Sequence, residues 1–413
     1  MAPVYQFGGE EIDSLDLKSL IVTRGVKVKD QVYKSLGGRY RINPDPLTCN
    51  CLLLPDGTVA QLTDVALHLR YLKQAMSLES LRQLGTFLGG WKPFDLSLSE
   101  SGGAMLSYDG VDITEVSFPP KSNFYEKRTS SGLPFINNAV LQGVDTVAFQ
   151  SLWPCELARA GYACQFCYTG GISEGLAKKH RPEPGMPTPR DAAEIVDYAV
   201  NEEKMAEYVQ ITGGSTMNPQ AETRVITQIL KEMDAVTGLN NIKGEVLVFT
   251  TPPSDPRSLD QVFDAGADRV ACSLDVWDDR LAELITPGKV KFTTRRRHMD
   301  ALKYIAREYG PNKALSTFVV GLEPIETFLE GAEALAREGV VAMASLWIPF
   351  GRPVMGKAKA PGLEYYRKMK LGLADIYHRY GIIPPGGAGF NTDIDKDIWR
   401  HSEEYLVAPR TRS

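Results

Sequence analysis

Short apolar runs rich in β-branched residues alternate with longer amphipathic runs between about residues 141 and 352. The short runs are predicted strands at 144–152, 208–212, 245–251, 269–275, 315–320 and 340–348, and the amphipathic runs are predicted helices near 189–203, 219–236, 258–265, 294–309 and 325–338. Alternation of this kind implies right-handed crossovers between parallel strands. Six strand–helix units are fewer than the eight of a closed barrel. The sequence therefore predicts an α/β fold built on an open, partial (β/α)6 TIM-type barrel.

Two further regions flank the predicted barrel. Residues 52–60 read as strand, turn and strand, because Asp-Gly supplies the turn, and residues 65–88 read as a helix. On the other side a helix is predicted at 363–380, followed by a Pro/Gly break. We therefore expect three domains: an N-terminal accessory α+β region at 1–140, the barrel at 141–352, and a C-terminal helical capping segment at 353–413.

Composition limits the partners and the compartment of this chain. The formal net charge of −5 disfavours a nucleic-acid backbone as the main partner. The first residues lack a basic and apolar signal pattern, and no run of about 18 apolar residues predicts a membrane span. Six cysteines in 413 residues do not make a disulfide scaffold, so we predict a reducing, cytoplasmic location.

Three of the six cysteines lie in one short segment that follows the first predicted barrel strand. Cys155, Cys164 and Cys167 have the spacing C-x8-C-x2-C. Three thiolates on one loop can hold three irons of a cubic cluster and leave the fourth iron open to a ligand. Loops at the carboxyl ends of barrel strands are where such folds place their chemistry. The loop is therefore the predicted centre of the functional site.

This pattern resembles the radical S-adenosylmethionine (radical SAM) superfamily. The resemblance rests on the three cysteines, on Phe166 before the last of them, and on Gly213 and Gly214 at the end of the second predicted strand. It implies an enzyme whose [4Fe-4S] cluster reductively cleaves S-adenosylmethionine to a 5′-deoxyadenosyl radical, which abstracts hydrogen from a substrate. The resemblance also implies an electron donor such as flavodoxin or ferredoxin. We expect a small-molecule or cofactor-precursor substrate, with no nucleic acid and no membrane as partner.

Two departures from the family pattern are visible. The first gap between cysteines is eight residues where three are usual, although tRNA-modifying members of the superfamily carry a similarly long loop. The usual Gly-Gly-Glu is Gly-Gly-Ser here, ending in Ser215. The glycines still allow close approach of the backbone to the methionine part of the cofactor.

The resemblance assigns further roles to individual positions. The predicted cofactor-binding residues are Phe166, Tyr168, Gly213, Gly214, Ser215, Ser273 and Trp347, and the predicted catalytic or substrate-contacting residues are Asp275, Tyr168 and Glu323. Strand alternation is expected to turn Ser273 and Asp275 into the barrel. Glu323 is read equally well as a cavity residue or as a helix-start acid.

Other readings of the cysteines remain open at this stage. A structural zinc site would need a fourth ligand, and His180 could supply it. Cys164 and Cys167 alone could form a redox pair, which leaves Cys155 without a role. The alternative class is a non-catalytic iron–sulfur or zinc protein, such as an electron carrier or scaffold.

Overall fold

The structure is a computed structural model that describes residues 3–44, 49–67, 92–136, 138–152, 155–167, 187–349, 359–387 and 392–407. Tyr168, His180 and residues 68–88 of the first predicted helix lie outside the described residues.

The described part of the N-terminal region contains small sheets and two α-helices. Its elements are β1 (Tyr5–Phe7), β2 (Glu10–Ile12), α1 (Ser14–Arg24), β3 (Val26–Val28), α2 (Asp30–Leu36), β4 (Cys51–Leu53), β5 (Val59–Gln61), β6 (Phe94–Leu98), β7 (Ala104–Tyr108) and β8 (Val111–Val116). The predicted strand–turn–strand is the antiparallel hairpin of β4 and β5. Strands β3, β6, β7 and β8 form a four-stranded sheet. Leu17, Phe94 and Leu106 belong to a hydrophobic core that these elements share.

The middle region is organised around a seven-stranded sheet. Its strands are β9 (Ala139–Gln142), β10 (Thr146–Leu152), β11 (Tyr208–Gly213), β12 (Val246–Phe249), β13 (Arg269–Ala271), β14 (Ala314–Val320) and β15 (Val341–Leu346). They follow one another in this order across the sheet. Strands β10 to β15 run parallel, and β9 pairs antiparallel with β10 at one edge. All six predicted barrel strands are therefore present, and the predicted partial barrel is confirmed.

Helices connect the parallel strands. They are α3 (Glu156–Arg159), α4 (Pro189–Asp197), α5 (Pro219–Val236), α6 (Asp260–Asp264), α7 (Asp279–Ile285), α8 (Arg295–Tyr309) and α9 (Ile325–Arg337), with π-helical turns at Tyr198–Glu202 and Lys289–Thr293. Local signals set their starts: α4 begins after Thr188, whose hydroxyl forms a capping box with Asp191, and α5 begins after the side-chain cap Asn218. Ile226 and Leu302 of these helices join the core against the sheet.

Strand β13 ends at Ala271, whereas the sequence predicts a strand as far as residue 275. Asp275 has a φ of +71°, a left-handed value that a non-glycine residue adopts at a cost. Its backbone still pairs with β14, because its amide donates to Thr317 at 2.9 Å and its carbonyl accepts from Val319 at 2.9 Å. The regular alternation used to orient Ser273 and Asp275 therefore does not extend beyond Ala271.

The C-terminal segment covers the β15 edge of the sheet. Its helices are α10 (Leu363–Tyr380), α11 (Asp395–Arg400) and α12 (Ser402–Val407). The amide of Leu346 donates to the carbonyl of Thr392, and the amide of Ala344 donates to the carboxylate of Asp395. Lys18 of α1 pairs with Asp397 at 2.7 Å, both side chains being buried. The helical tail is thus present, and it is joined to the N-terminal region.

Candidate active site

The three predicted cluster ligands lie at the carboxyl end of β10. Cys155 immediately precedes α3, and the amide of Cys167 donates to the carbonyl of Cys164 at 3.2 Å, which closes a turn. All three side chains are half-buried, and none of the six cysteines forms a disulfide. The loop therefore presents three thiols on one short segment, as the sequence predicts.

Gly214 packs directly against the first of these cysteines. A Cβ atom at Gly214 would lie 2.8 Å from the backbone nitrogen of Cys155, closer than side-chain atoms normally come to backbone. The next residue, Ser215, accepts a hydrogen bond from the amide of Glu156 at 2.9 Å through its carbonyl. The Gly-Gly-Ser segment after β11 thus positions the backbone of Cys155. This contact is a reason for glycine at position 214 that the sequence alone does not reveal.

Glu156 adds a second link between the same two loops. Its carboxylate accepts a hydrogen bond from the hydroxyl of Thr216 at 2.9 Å and another from the amide of Met217 at 2.7 Å. Hydrogen bonds to a carboxylate are about twice as strong as those between neutral groups. Sequence reasoning missed Glu156, and its place directly after Cys155 is the signal that could have indicated it.

The other half of the cysteine loop rests on the segment after β13. The amide of Gln165 donates to the carbonyl of Ile285 at 2.7 Å, and the ammonium of Lys291 lies 4.0 Å from the ring centroid of Tyr162. A Cβ atom at Gly288 would lie 3.0 Å from the Cβ of Leu157. The cysteine loop is therefore held between the end of β11 and the segment that joins α7 to α8.

Lys289 forms a buried ion pair with Asp275 beside this loop. The side chains of Lys289 and Asp275 are 16% and 8% exposed, and the Lys289 ammonium also donates to the carbonyl of Ser273 at 2.7 Å. Burial lowers the pKa of Lys289, but Asp275 and Cys164 outweigh burial and raise it. Burial raises the pKa of Asp275, and Lys289 opposes that rise. Lys289 is therefore held in its charged form beside the cysteine loop.

These neighbours influence the pKa of the Cys164 thiol. Burial raises its pKa, Lys289 opposes the rise, and Asp275 adds to it, as do the other two cysteines. Lys289 favours the thiolate form of Cys164, which is the form that binds metal. Nothing in the sequence pattern marks Lys289, because its partners lie on other segments of the chain.

The remaining predicted site residues occupy different surroundings. Ser273 accepts a hydrogen bond of 3.4 Å from the amide of Thr317, and buried Glu323 accepts hydrogen bonds from the amides of Trp277 and Asp278. Burial raises the pKa of Glu323, and those amides oppose the rise. Trp347 is buried at the end of β15. Ser273 and Asp275 lie close together, because Lys289 contacts both. The roles of Ser273, Asp275, Phe166, Glu323 and Trp347 stay predictions.

The donor chemistry of the loop fits an iron–sulfur cluster. Within the described ranges, no three His, Cys, Asp or Glu side chains converge as the ligands of one metal ion. A cubic cluster makes a different demand, because each thiolate binds a separate iron. Three half-buried thiols on one loop, with the partly buried Lys289 favouring the thiolate form of Cys164, meet that demand. Cys155, Cys164 and Cys167 are the residues that would hold the cluster.

Comparison with known proteins defines the class. The model of the radical SAM superfamily matches residues 159–335, which begin just after the first cysteine and extend through α9. Residues 159–335 therefore belong to this superfamily, as the domain of a radical SAM enzyme. Members of the superfamily bind a [4Fe-4S] cluster and S-adenosylmethionine, so these are the cofactors of the domain. The predicted superfamily, enzyme class and cofactors are thereby confirmed.

Individual relatives are distant. The chain is 22% identical over 269 residues to bacteriochlorophyllide c C-7(1)-hydroxylase of Chlorobaculum limnaeum, a match that covers 61% of this chain and 65% of that protein. Methylornithine synthase is 14% identical with a TM-score of 0.41, covering 65% of this chain and 74% of its own. A radical SAM methyltransferase from Sphaerobacter thermophilus is 15% identical with a TM-score of 0.39, and the match covers 78% of this chain and 88% of that one.

No helix in the described ranges is long and apolar enough to cross a membrane.

Proposed function

We propose that this enzyme reductively cleaves S-adenosylmethionine at a [4Fe-4S] cluster held by Cys155, Cys164 and Cys167, and then removes a hydrogen atom from a small-molecule or cofactor-precursor substrate. When bound, the two cofactors supply the reducing electron and the 5′-deoxyadenosyl radical. The observation that supports this most is the position of the three-thiol loop, which follows β10 and packs against the end of β11 through Gly214 and against the end of α7 through Gln165. That position is the carboxyl edge of the parallel sheet, where barrel enzymes carry their chemistry.

The proposal gives the neighbouring residues distinct tasks. Gly213, Gly214, Ser215 and Ser273 would bind S-adenosylmethionine, with Phe166, Tyr168 and Trp347 near its adenine. Asp275, Tyr168 and Glu323 would contact the substrate. The ion pair with Lys289 supports the assignment of Asp275, because it holds that carboxylate at one place beside the cysteine loop. The amides of Trp277 and Asp278 similarly hold the carboxylate of Glu323.

The proposal extends to partners and compartment. A reductant such as flavodoxin or ferredoxin would supply the electron. The name of the hydroxylase from Chlorobaculum limnaeum describes action on bacteriochlorophyllide c, which supports the small-molecule substrate class. The absence of disulfides among the six cysteines supports a reducing, cytoplasmic environment.

The test separates this function from a non-catalytic iron–sulfur or zinc protein. The chain is reconstituted with iron and sulfide without oxygen and given S-adenosylmethionine and dithionite. The proposal expects 5′-deoxyadenosine and methionine from the wild type, and neither from Cys167→Ala. Cys51→Ala is the matched control, because Cys51 is a buried cysteine on β4 in the N-terminal region and should leave the products unchanged. Tightly bound zinc, or a cluster without product formation, would contradict the proposal.

A further inference from the structure

The strand register sorts the sheet residues into two faces. Phe318 on β14 packs against Phe328 of α9 with ring centroids 5.6 Å apart, so its face is the one that helices cover. Ala314 lies on the same face of β14 as Phe318, four residues earlier. Residues paired in register share a face, so the helix-covered face continues through the pairs Ala314–Val270, Val270–Val248, Val248–Ile211 and Ile211–Phe149. Because successive residues alternate, Thr317, Gln210 and Gln150 lie on the opposite, inner face. Gln142 lies there too, since it pairs with Thr146.

These four inner-face residues have buried polar atoms with no hydrogen-bond partner among the described residues. The atoms are Gln142 Oε1, Gln150 Oε1, Gln210 Oε1, Gln210 Nε2 and Thr317 Oγ1. The side chain of Gln210 is fully buried, with 0% exposure. A buried polar group without a partner is costly, and folded proteins rarely keep one. Five such atoms on one face therefore indicate a ligand or ordered water inside the barrel.

The described strands contribute no unpaired charged side chain to the inner face. Arg269 is the one charged residue that the seven described strands contribute to it, and its guanidinium is already paired with Glu245 at 2.6 Å. It also donates to the carbonyl of Ile383 at 2.7 Å. A ligand carboxylate or phosphate would thus be buried here without a free cation, which is unfavourable. The unpartnered polar atoms on the described part of this face instead belong to three carboxamides and one hydroxyl.

Gln210 defines the complementary ligand group. Both its carbonyl oxygen and its amide nitrogen lack partners, so an exchange of the two atoms would not change this conclusion. Gln150 lies on the adjacent strand, two residues beyond Ala148, the register partner of Gln210. Diagonal neighbours at this spacing are within reach of long side chains. The two carboxamides can therefore contact one ligand group.

We infer that the inner face binds an uncharged part of the substrate that carries an N–H donor next to a C=O acceptor, as in a lactam or a carboxamide. Gln210 exchanges a donor–acceptor pair of hydrogen bonds with this group, and the carboxamide oxygen of Gln150 shares the same N–H as a second acceptor. The inference rests on the proposed function, because it names the substrate class for the same barrel.

The first experiment measures binding without any reaction. The reconstituted full-length chain is mixed with 2-pyrrolidinone, a lactam, or with cyclopentanone, which has no N–H, and ligand-observed NMR reports affinity. The lactam is expected to bind and the ketone to bind more weakly. Gln210→Met keeps the side-chain length and removes both polar atoms, so it should weaken lactam binding roughly five- to tenfold or more. Gln31→Met, on the exposed surface of α2, is the matched control.

A second measurement guards against failure of Gln210→Met to fold. The free energy of unfolding is compared for ligand-free wild type, Gln210→Met and Gln150→Met. If the carboxamides await a ligand, the apolar replacements should not destabilise the ligand-free chain, whereas replacement of groups bonded to structural water should. Gln150→Met is also expected to weaken lactam binding, so it tests the inference independently.

The outcomes separate the inference from the proposed function. No lactam binding by wild type, equal affinity for the ketone, or full binding by both methionine variants would overturn the inference, whether or not S-adenosylmethionine is cleaved. Destabilisation of the ligand-free chain by both variants would overturn it in favour of structural water. Lactam binding lost in the variants supports it, even if wild type forms no 5′-deoxyadenosine, in which case only the proposed function fails.

Discussion

The buried pair of Lys289 and Asp275 leads to a quantitative prediction. The side chains are 16% and 8% exposed, so removal of the ammonium would leave a carboxylate with little access to water. Loss of one partner from a buried ion pair costs about 3–5 kcal/mol. Lys289→Met should lower the free energy of unfolding by that amount, a large share of the roughly 5–15 kcal/mol typical of folded domains. The carbonyl of Ser273 loses its hydrogen bond in the same variant.

A double variant tests the cause of that loss. Lys289→Met combined with Asp275→Leu removes both charges, and apolar replacement of a buried pair is often nearly neutral. We therefore expect the double variant to recover most of the stability. The assay is equilibrium urea unfolding of the cofactor-free chain, followed by tryptophan fluorescence, because Trp277 lies two residues after Asp275.

Lys92→Met is the matched control. Lys92 pairs with Asp109 at 2.9 Å, but the two side chains are 62% and 63% exposed, so its loss should leave the stability nearly unchanged. A double variant as unstable as Lys289→Met would refute the electrostatic reasoning. So would a Lys289→Met variant that is no less stable than Lys92→Met.

Two further predictions follow from the same region. Gly214→Ala should lower the iron and sulfide content after reconstitution, because its Cβ would lie 2.8 Å from the Cys155 nitrogen and displace that ligand. Gly362→Ala, where a Cβ would meet nothing within 4 Å, should not. The second concerns Glu222, whose pKa burial raises from 4.5 to about 7 against hydrogen bonds from Thr251 and Thr250. A raised carboxyl pKa stabilises the fold below pH 4.5, and this contribution of roughly 3 kcal/mol is lost as the pH rises through about 7. Glu222→Gln should therefore gain stability relative to wild type across that interval in urea unfolding.

Each of these predictions has a clear contrary result. Equal iron content in Gly214→Ala and Gly362→Ala would show that the Cys155 backbone can shift without harm to the ligand set. For Glu222, the same substitution at exposed Glu283 of α7 serves as the control. A stability difference between Glu222→Gln and wild type that does not change with pH would remove the basis for a raised pKa.

The strands were predictable, and the cysteine motif could be recognised, because their signals are local. Apolar runs and cysteine spacing can be read within a few residues, and β11 begins at Tyr208 as predicted. The strand at 269–275 was predicted too long, because the left-handed φ of Asp275 accompanies contacts with Lys289 and β14 that lie far along the chain. Local alternation contains no information about such contacts.

The supporting residues of the site were not predictable for a related reason. Glu156, Lys289 and Gln210 are ordinary residues in the sequence, and their importance comes from what the fold places around them. Gln210 in particular looks like any polar residue in a strand until the register assigns it to the inner face. Its unmet hydrogen-bonding capacity is visible only in three dimensions.

The pairing of residues 392–395 with β15 has a practical consequence for handling the protein. Leu346 and Ala344 donate their amides to that segment, and Asp397 a little further on neutralises Lys18. A shortened variant that ends before residue 392 would leave these amides open to pairing with another molecule. It would also leave Lys18 buried without its carboxylate partner. Shortened variants of this kind should therefore aggregate during purification, even though every cysteine of the cysteine loop is still present.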